Sequence, residues 1–129
     1  MKYTLELSRT QCQVLVSALD NFSRLGMGQF YTVVSEHIPR NFRSINMQEV
    51  NDMCDKLKLA VHSGLDTNAY HGIHSGEISD YYRVAWDLHQ VIRHRISWDE
   101  HPEGGMTVNF DTPMRSSEKE ELAKIEQVK

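Results

Sequence analysis

The chain is short of positive charge, of cysteine and of long apolar runs, and each shortage removes a class of function. Its 14 lysines and arginines are outnumbered by 18 acidic residues, leaving a net charge of −4. A protein that coats a nucleic acid polymer needs a strongly basic face to displace counterions, so no polymer partner is expected. Cys12 and Cys54 belong to no CxxC or Cys/His framework and fall on apolar helical faces. They read as reduced core thiols of a cytosolic protein rather than as a disulfide or zinc scaffold. No apolar run approaches the ~20 residues that span a bilayer, and the opening MKYTLELS lacks the apolar stretch of a secretory signal. A soluble, cytoplasmic protein without a membrane partner is the expectation. There is also no GxSxG, and no carboxylate pair set apart from ordinary surface charge, so no catalytic residue can be named.

What is present is globular material. With 129 residues, 40% of them hydrophobic, the chain can form one domain with a modest core, and its small size favours oligomerisation. Residues 2–7 alternate, with Tyr3, Leu5 and Leu7 against Thr4 and Glu6, which predicts a short half-buried strand. Ser8 or Thr10 can cap a helix over 11–25 whose inward stripe is Cys12, Leu15, Val16, Leu19 and Phe22. Gly26, Met27 and Gly28 end it, and a second helix runs over 29–38 with Phe30, Val33, Val34 and His37 on one side. A polar loop over 39–46 carries Arg40 and Arg43. A third helix over 47–63 should turn Val50, Met53, Cys54, Leu57, Ala60 and Val61 inward, with Gly64 as its C-cap. The segment 64–76 is a long loop, functional or mobile, holding Tyr70, His71, Ile73 and His74.

The longest helix is predicted over 77–100, capped by Ser75 or Ser79. At 100° per residue, Ile78, Tyr81, Val84, Ala85, Leu88, Val91, Ile92, Ile96 and Trp98 form a core arc. Tyr82, Trp86, His89 and Arg93 make a second stripe on the other side, suited to a subunit interface or a ligand surface. Arg83, Asp87, Gln90 and His94 are left as a wet strip. Arg95 and Asp99 interrupt the core arc four residues apart, either as a partly buried structural pair or as an arginine held by its aspartate to meet a phosphate or carboxylate in a cavity. After a Gly-rich turn, residues 106–111 alternate again and predict a strand that pairs with the first. Residues 116–129 are charged and apolar-poor, a loose or helical tail following a single domain over 1–115. The fold class expected is therefore α+β, mostly α, with about four helices and a small antiparallel sheet from the terminal strands.

Three groups of residues bear on chemistry. His71 and His74 form HxxH, with His89, His94 and His101 downstream, but His89 and His94 leave their helix on different sides, so no metal site or cofactor is expected. Arg24, Gly26 and Gly28 could meet an anion through a guanidinium and turn amides. Arg93, Arg95, Asp99, Asn109, Asp111 and Arg115 gather near the end of the long helix, and Tyr70, Tyr82, Trp86 and Phe110 offer rings for stacking. Few cations on an acidic chain suit a small phosphorylated nucleotide better than a polymer.

The blocks LDNFSRLGMGQF (19–30) and YHGIHSGEISDYYRVAWDLHQVIRHRISWDEHPEGGMTVNFDTPMR (70–115), about half the chain, resemble a family of small phage-encoded proteins. They are also similar to the phage anti-Thoeris sponges that sequester cyclic ADP-ribose signals without hydrolysing them. That resemblance implies a homo-oligomer with nucleotide pockets at subunit interfaces, acting by stoichiometric capture in the infected host's cytoplasm, with Arg24, Arg95, Asn109 and Arg115 as candidate pocket positions. A phage structural or interaction adaptor using the Tyr82, Trp86 and His89 stripe is the alternative, and a small nucleotide-processing enzyme a further one.

Overall fold

The computed structural model describes residues 1–39 and 44–129, so Arg40 and Arg43 of the expected polar loop lie outside the described residues. The described chain forms α1 (Arg9–Gly26), α2 (Phe30–Glu36), α3 (Met47–Val61) and α4 (Asp80–Glu100), then a single 3₁₀ turn at Val108–Phe110. Each longer helix starts where a short polar side chain can take up orphan amides. Ser8 accepts from the Gln11 amide while the Gln11 side chain accepts from the Ser8 amide. Asn46 caps α3 through the Glu49 amide, and Ser79 caps α4 through the Tyr81 amide.

The expected sheet is absent among the described residues, and the fold is all-helical rather than α+β. Residues 2–7 alternate in sequence, but Tyr3 and Leu5 are 87% and 73% exposed, only Leu7 is half-buried, and no second strand lies beside them among the described residues. At the other end, Phe110 and Asp111 donate their amides back to Thr107 and Val108. The chain coils there because the Phe110 ring seats edge-on against Trp98, centroids 5.4 Å apart, and the Trp98 indole donates to the Phe110 carbonyl at 3.2 Å. Alternation supplies a strand only where a partner ladder exists. Here the local aromatic contact wins.

The core sits between α1 and α4. Ala85, Val91 and Ile92 of α4 and Cys12 of α1 are buried, each large aliphatic contributing about 1.5–3 kcal/mol. Across the same seam, Gly26 lets the helices approach so closely that a β-carbon there would lie 2.3 Å from Tyr82 Cγ. Ser23, with no exposed surface, lies with its hydroxyl 3.0 Å from the Tyr82 carbonyl, and Phe22 stacks on the Tyr82 ring at 4.9 Å. His89 is buried further along. The stripe expected at a subunit interface, Tyr82, Trp86 and His89, thus meets α1 of its own chain, because α1 supplies the small residues a bulky aromatic stripe needs.

Two residues expected in the wet strip of α4 are buried instead. Arg83 donates to the carbonyls of Ile73 (2.7 Å), Ser75 and Ile78, which fastens the segment leading into the helix. Asp87 accepts from the Ser116 amide and hydroxyl and from the Ser117 amide at 2.6–3.0 Å. Asp80 takes the Ser117 hydroxyl at 2.7 Å and the Glu118 amide at 3.1 Å. The tail therefore begins with two buried serines rather than loose chain, and no helix follows in it. Replacing Asp87 by Asn should lower unfolding free energy by about 1–3 kcal/mol, since a buried carboxylate with several donors becomes a half-matched amide. Urea denaturation together with limited proteolysis of residues 116–129 checks this. A tail cut no faster than in the wild type would show that Asp87 does not hold it.

Candidate functional site

The residues expected to bind one ligand fall into separate places. Arg24 and Tyr70 come together on a cavity of 330 Å³ between α2, α3 and the loop 64–79. Arg95 and Asp99 do form their pair, Nε to Oδ2 at 3.1 Å, but with side chains 41% and 30% exposed they stand on the surface rather than break a core. They edge a second cavity of 440 Å³ lined chiefly by Leu5, Leu7, Ile96, Ile125 and Val128. Arg93 and Asn109 share a shallow groove with Ser17 and Ser97. Asp111 is exposed, and Arg115 spends its guanidinium on the carbonyls of Ser117 and Glu118.

Turn amides contribute nothing at Gly26 and Gly28. Met27, Gly28 and Gln29 all return their N–H groups to carbonyls of Ser23, Arg24 and Leu25, closing the end of α1. Gly28, at φ 86°, supplies the left-handed residue that lets the chain reverse. Gly26 serves the contact with Tyr82.

The α2–α3 cavity is the best built of the three places. Arg24 reaches it from the last turn of α1. Its Nε lies 3.1–3.2 Å from both Asp20 oxygens and its Nη1 donates to Gln29 Oε1 at 2.6 Å, while the guanidinium lies 5.9 Å from the Trp86 ring centroid. Nη2 is left without a partner among the described residues, on a fork whose direction is fixed. Lys58, buried on α3, donates from Nζ to the Thr67 and Ala69 carbonyls at 2.9 and 2.6 Å and keeps one proton free. It holds the 64–79 loop and charges the cavity wall at once. Tyr31 and Tyr70 stand exposed at the rim, and Asn51, Thr32 and Asn68 add neutral hydrogen-bonding groups. Asp55 is the acidic member of the wall. Sequence reasoning missed Lys58 and Tyr31. A lysine four residues after Cys54, on the inward face of α3, was the available signal, since a charge at such a position must find partners.

Two titratable groups nearby are perturbed. Burial, with Asp55 beside it, pushes the Cys54 thiol up and keeps it protonated, the opposite of a nucleophile's setting. Burial lowers His62, helped by His71, whose ring lies 5.2 Å away, and by Lys58. Among the described residues no three His, Cys, Asp or Glu side chains converge to hold a metal ion. The loop itself is fixed rather than free: His71 donates its amide to the Met27 carbonyl at 2.9 Å, and Arg83 holds Ile73 and Ser75.

Beneath Arg24, His89 is 2% exposed. Its Nδ1 lies 2.7 Å from the Trp86 carbonyl, which can only accept, so Nδ1 carries the proton and Nε2 faces Arg93 Nη1 at 3.4 Å. Burial lowers its pKa, offset in part by the Trp86 carbonyl. The folded protein therefore takes up this proton less readily than the unfolded chain. Stability is fully present above the unfolded value of about 6.5 and falls as pH drops below it. Thermal unfolding at pH 7.5 and 5.5 should show the loss, and His89→Gln should reduce the slope between them. An equal slope in the variant would contradict the neutral assignment.

Comparison with protein-family models, with curated proteins and with solved structures returned no match to this chain.

Proposed function

We propose that this chain binds a small anionic, ring-bearing ligand of the phosphorylated nucleotide class in the α2–α3 cavity and holds it without transforming it. The observation that carries this reading is the convergence of Arg24 and Lys58, each anchored by other bonds yet each with a donor to spare, beneath two exposed tyrosines. Anchored cations cost little ordering when a phosphate arrives, and exposed phenol rings accept a base face. At 330 Å³ the cavity lies at the small end of ligand sites, suited to one nucleotide unit rather than a polymer. Retention without reaction is supported by the protonated Cys54 thiol, the one thiol on the cavity wall.

The finer reading is a cyclic ADP-ribose-like signal captured stoichiometrically in the host cytoplasm as phage counter-defence. Its support is the resemblance read in the sequence of 19–30 and 70–115, together with two spare cationic donors, on Arg24 and Lys58, that suit a diphosphate and two exposed tyrosine rings that suit its base. No helix among the described residues is long and apolar enough to cross a membrane. An enzyme acting on such a nucleotide would use the same cavity and would alter its ligand.

Calorimetry with cyclic ADP-ribose isomers and mononucleotides tests the proposal. Arg24→Gln and Tyr70→Ala should each weaken binding by about tenfold, corresponding to ~1.4 kcal/mol. Ligand released by denaturing the complex should be chemically unchanged. Binding that survives both substitutions would place the ligand elsewhere, and altered ligand would make the chain an enzyme.

A further inference from the structure

α3 was expected to turn its apolar stripe inward, and it does not. Of its 15 residues only Cys54 and Lys58 are buried, and among the described residues the only helix it packs against is α2, 7 residues long. Met53, Leu57 and Val61 are 62%, 50% and 59% exposed, with Ala60 exposed and Val50 half-covered beside them. Isolated helices of this length are marginal in water, so stability must come from packing an apolar face.

We propose that this face is closed by α3 of a second copy, the two helices lying antiparallel about a two-fold axis near residue 55. Val50, Met53, Leu57 and Ala60 recur at spacings of three, four and three, the seam of a helix pair. Read in either direction the stripe runs smaller, larger, larger, smaller. An antiparallel partner therefore sets Met53 against Leu57 of the partner subunit and Val50 against Ala60 of the partner subunit, filling the seam evenly.

Charge points the same way. Asp52 and Lys56 lie along one flank of the stripe, and reversal brings Asp52 of one copy beside Lys56 of the partner subunit, twice over. Within its own chain Asp52 accepts only from the Gln48 amide nitrogen among the described residues, and Lys56 forms no ion pair there. A specific interface needs about 1,000 Å² in total, so the flanks must be covered along with the stripe. Asn51 and Asp55, which line the ligand cavity, lie more than a quarter-turn from the stripe, and Cys54 and Lys58, nearer to it, are already buried within the chain, so docking leaves that cavity open. The dimer does not depend on the ligand reading. It also replaces the Tyr82, Trp86 and His89 stripe, already covered by α1, as the surface for self-association.

Sedimentation velocity from low to high micromolar protein is the test, with helical circular dichroism recorded on each variant. The wild type should be a dimer at the upper concentrations and Leu57→Glu a monomer of unchanged helicity. Lys56→Asp, which opposes two acids across each flank, should weaken association about tenfold, and Asp52→Lys combined with Lys56→Asp should restore it. A wild type that stays monomeric throughout, or a dimer that persists in Leu57→Glu, would overturn the proposal. If Leu57→Glu loses helicity, the charge pair decides: failure of the double exchange to recover the dimer rejects the antiparallel arrangement.

Discussion

Two buried charges one turn apart on α4, Arg83 and Asp87, hold the irregular segments 73–78 and 116–117 against the helix. Each is 4% exposed, and neither would survive burial without partners. Arg83 finds them in backbone carbonyls of the segment before α4, and Asp87 in amides and a hydroxyl of the segment after the last turn. A sheet would have satisfied these backbone groups by pairing strands. This fold satisfies them by threading irregular chain past a helix that carries one concentrated donor and one concentrated acceptor.

The arrangement sets the shape of the α2–α3 cavity. Its loop wall is gripped from α4 by Arg83, from α3 by Lys58 and from the end of α1 by the Met27 carbonyl. A loop fixed at so many points needs little reordering on binding, and the lysine that fixes it also contributes charge to the cavity. On the other wall Arg24 is steered by Asp20 and Gln29 over the Trp86 ring. The seam between α1 and α4 thus sets both core packing and the direction of the cavity's leading cation.

Much of the helical frame was legible in the sequence. Ser8 and Ser79 cap as short polar residues before apolar-periodic stretches do, and Gly28 turns the chain between α1 and α2 at a positive φ, whereas the Asn46 cap of α3 went unread in a stretch taken as polar loop. The sheet was misread because alternation in 2–7 and 106–111 is also what two short exposed segments can show by chance, and neither has a ladder partner. Arg83 and Asp87 looked like a solvated strip because helical periodicity marks which face a residue occupies, not whether irregular chain will cover that face. Covering chain such as 111–118 has no period to read. The ligand set dispersed for a related reason: Arg24 and Tyr70 meet only because α2 folds back beside α1 and α3 packs on α2. Arg93, Arg95 and Arg115, close in sequence to one another or to the last turn, point to different grooves or to their own backbone. Gly64 likewise looked like a C-cap, yet His62 ends α3 and Gly64 does not adopt a positive φ.

The claim that most needs testing is that one cavity, between α2 and α3, receives the ligand. Amide chemical-shift mapping on ¹⁵N-labelled protein titrated with a mononucleotide gives the most direct answer. Shifts confined to 24–32, 51–58 and 67–70 are the predicted result. Shifts centred instead on 5–12 and 95–100, around the Arg95–Asp99 cavity, or no shifts at saturating nucleotide, would contradict it.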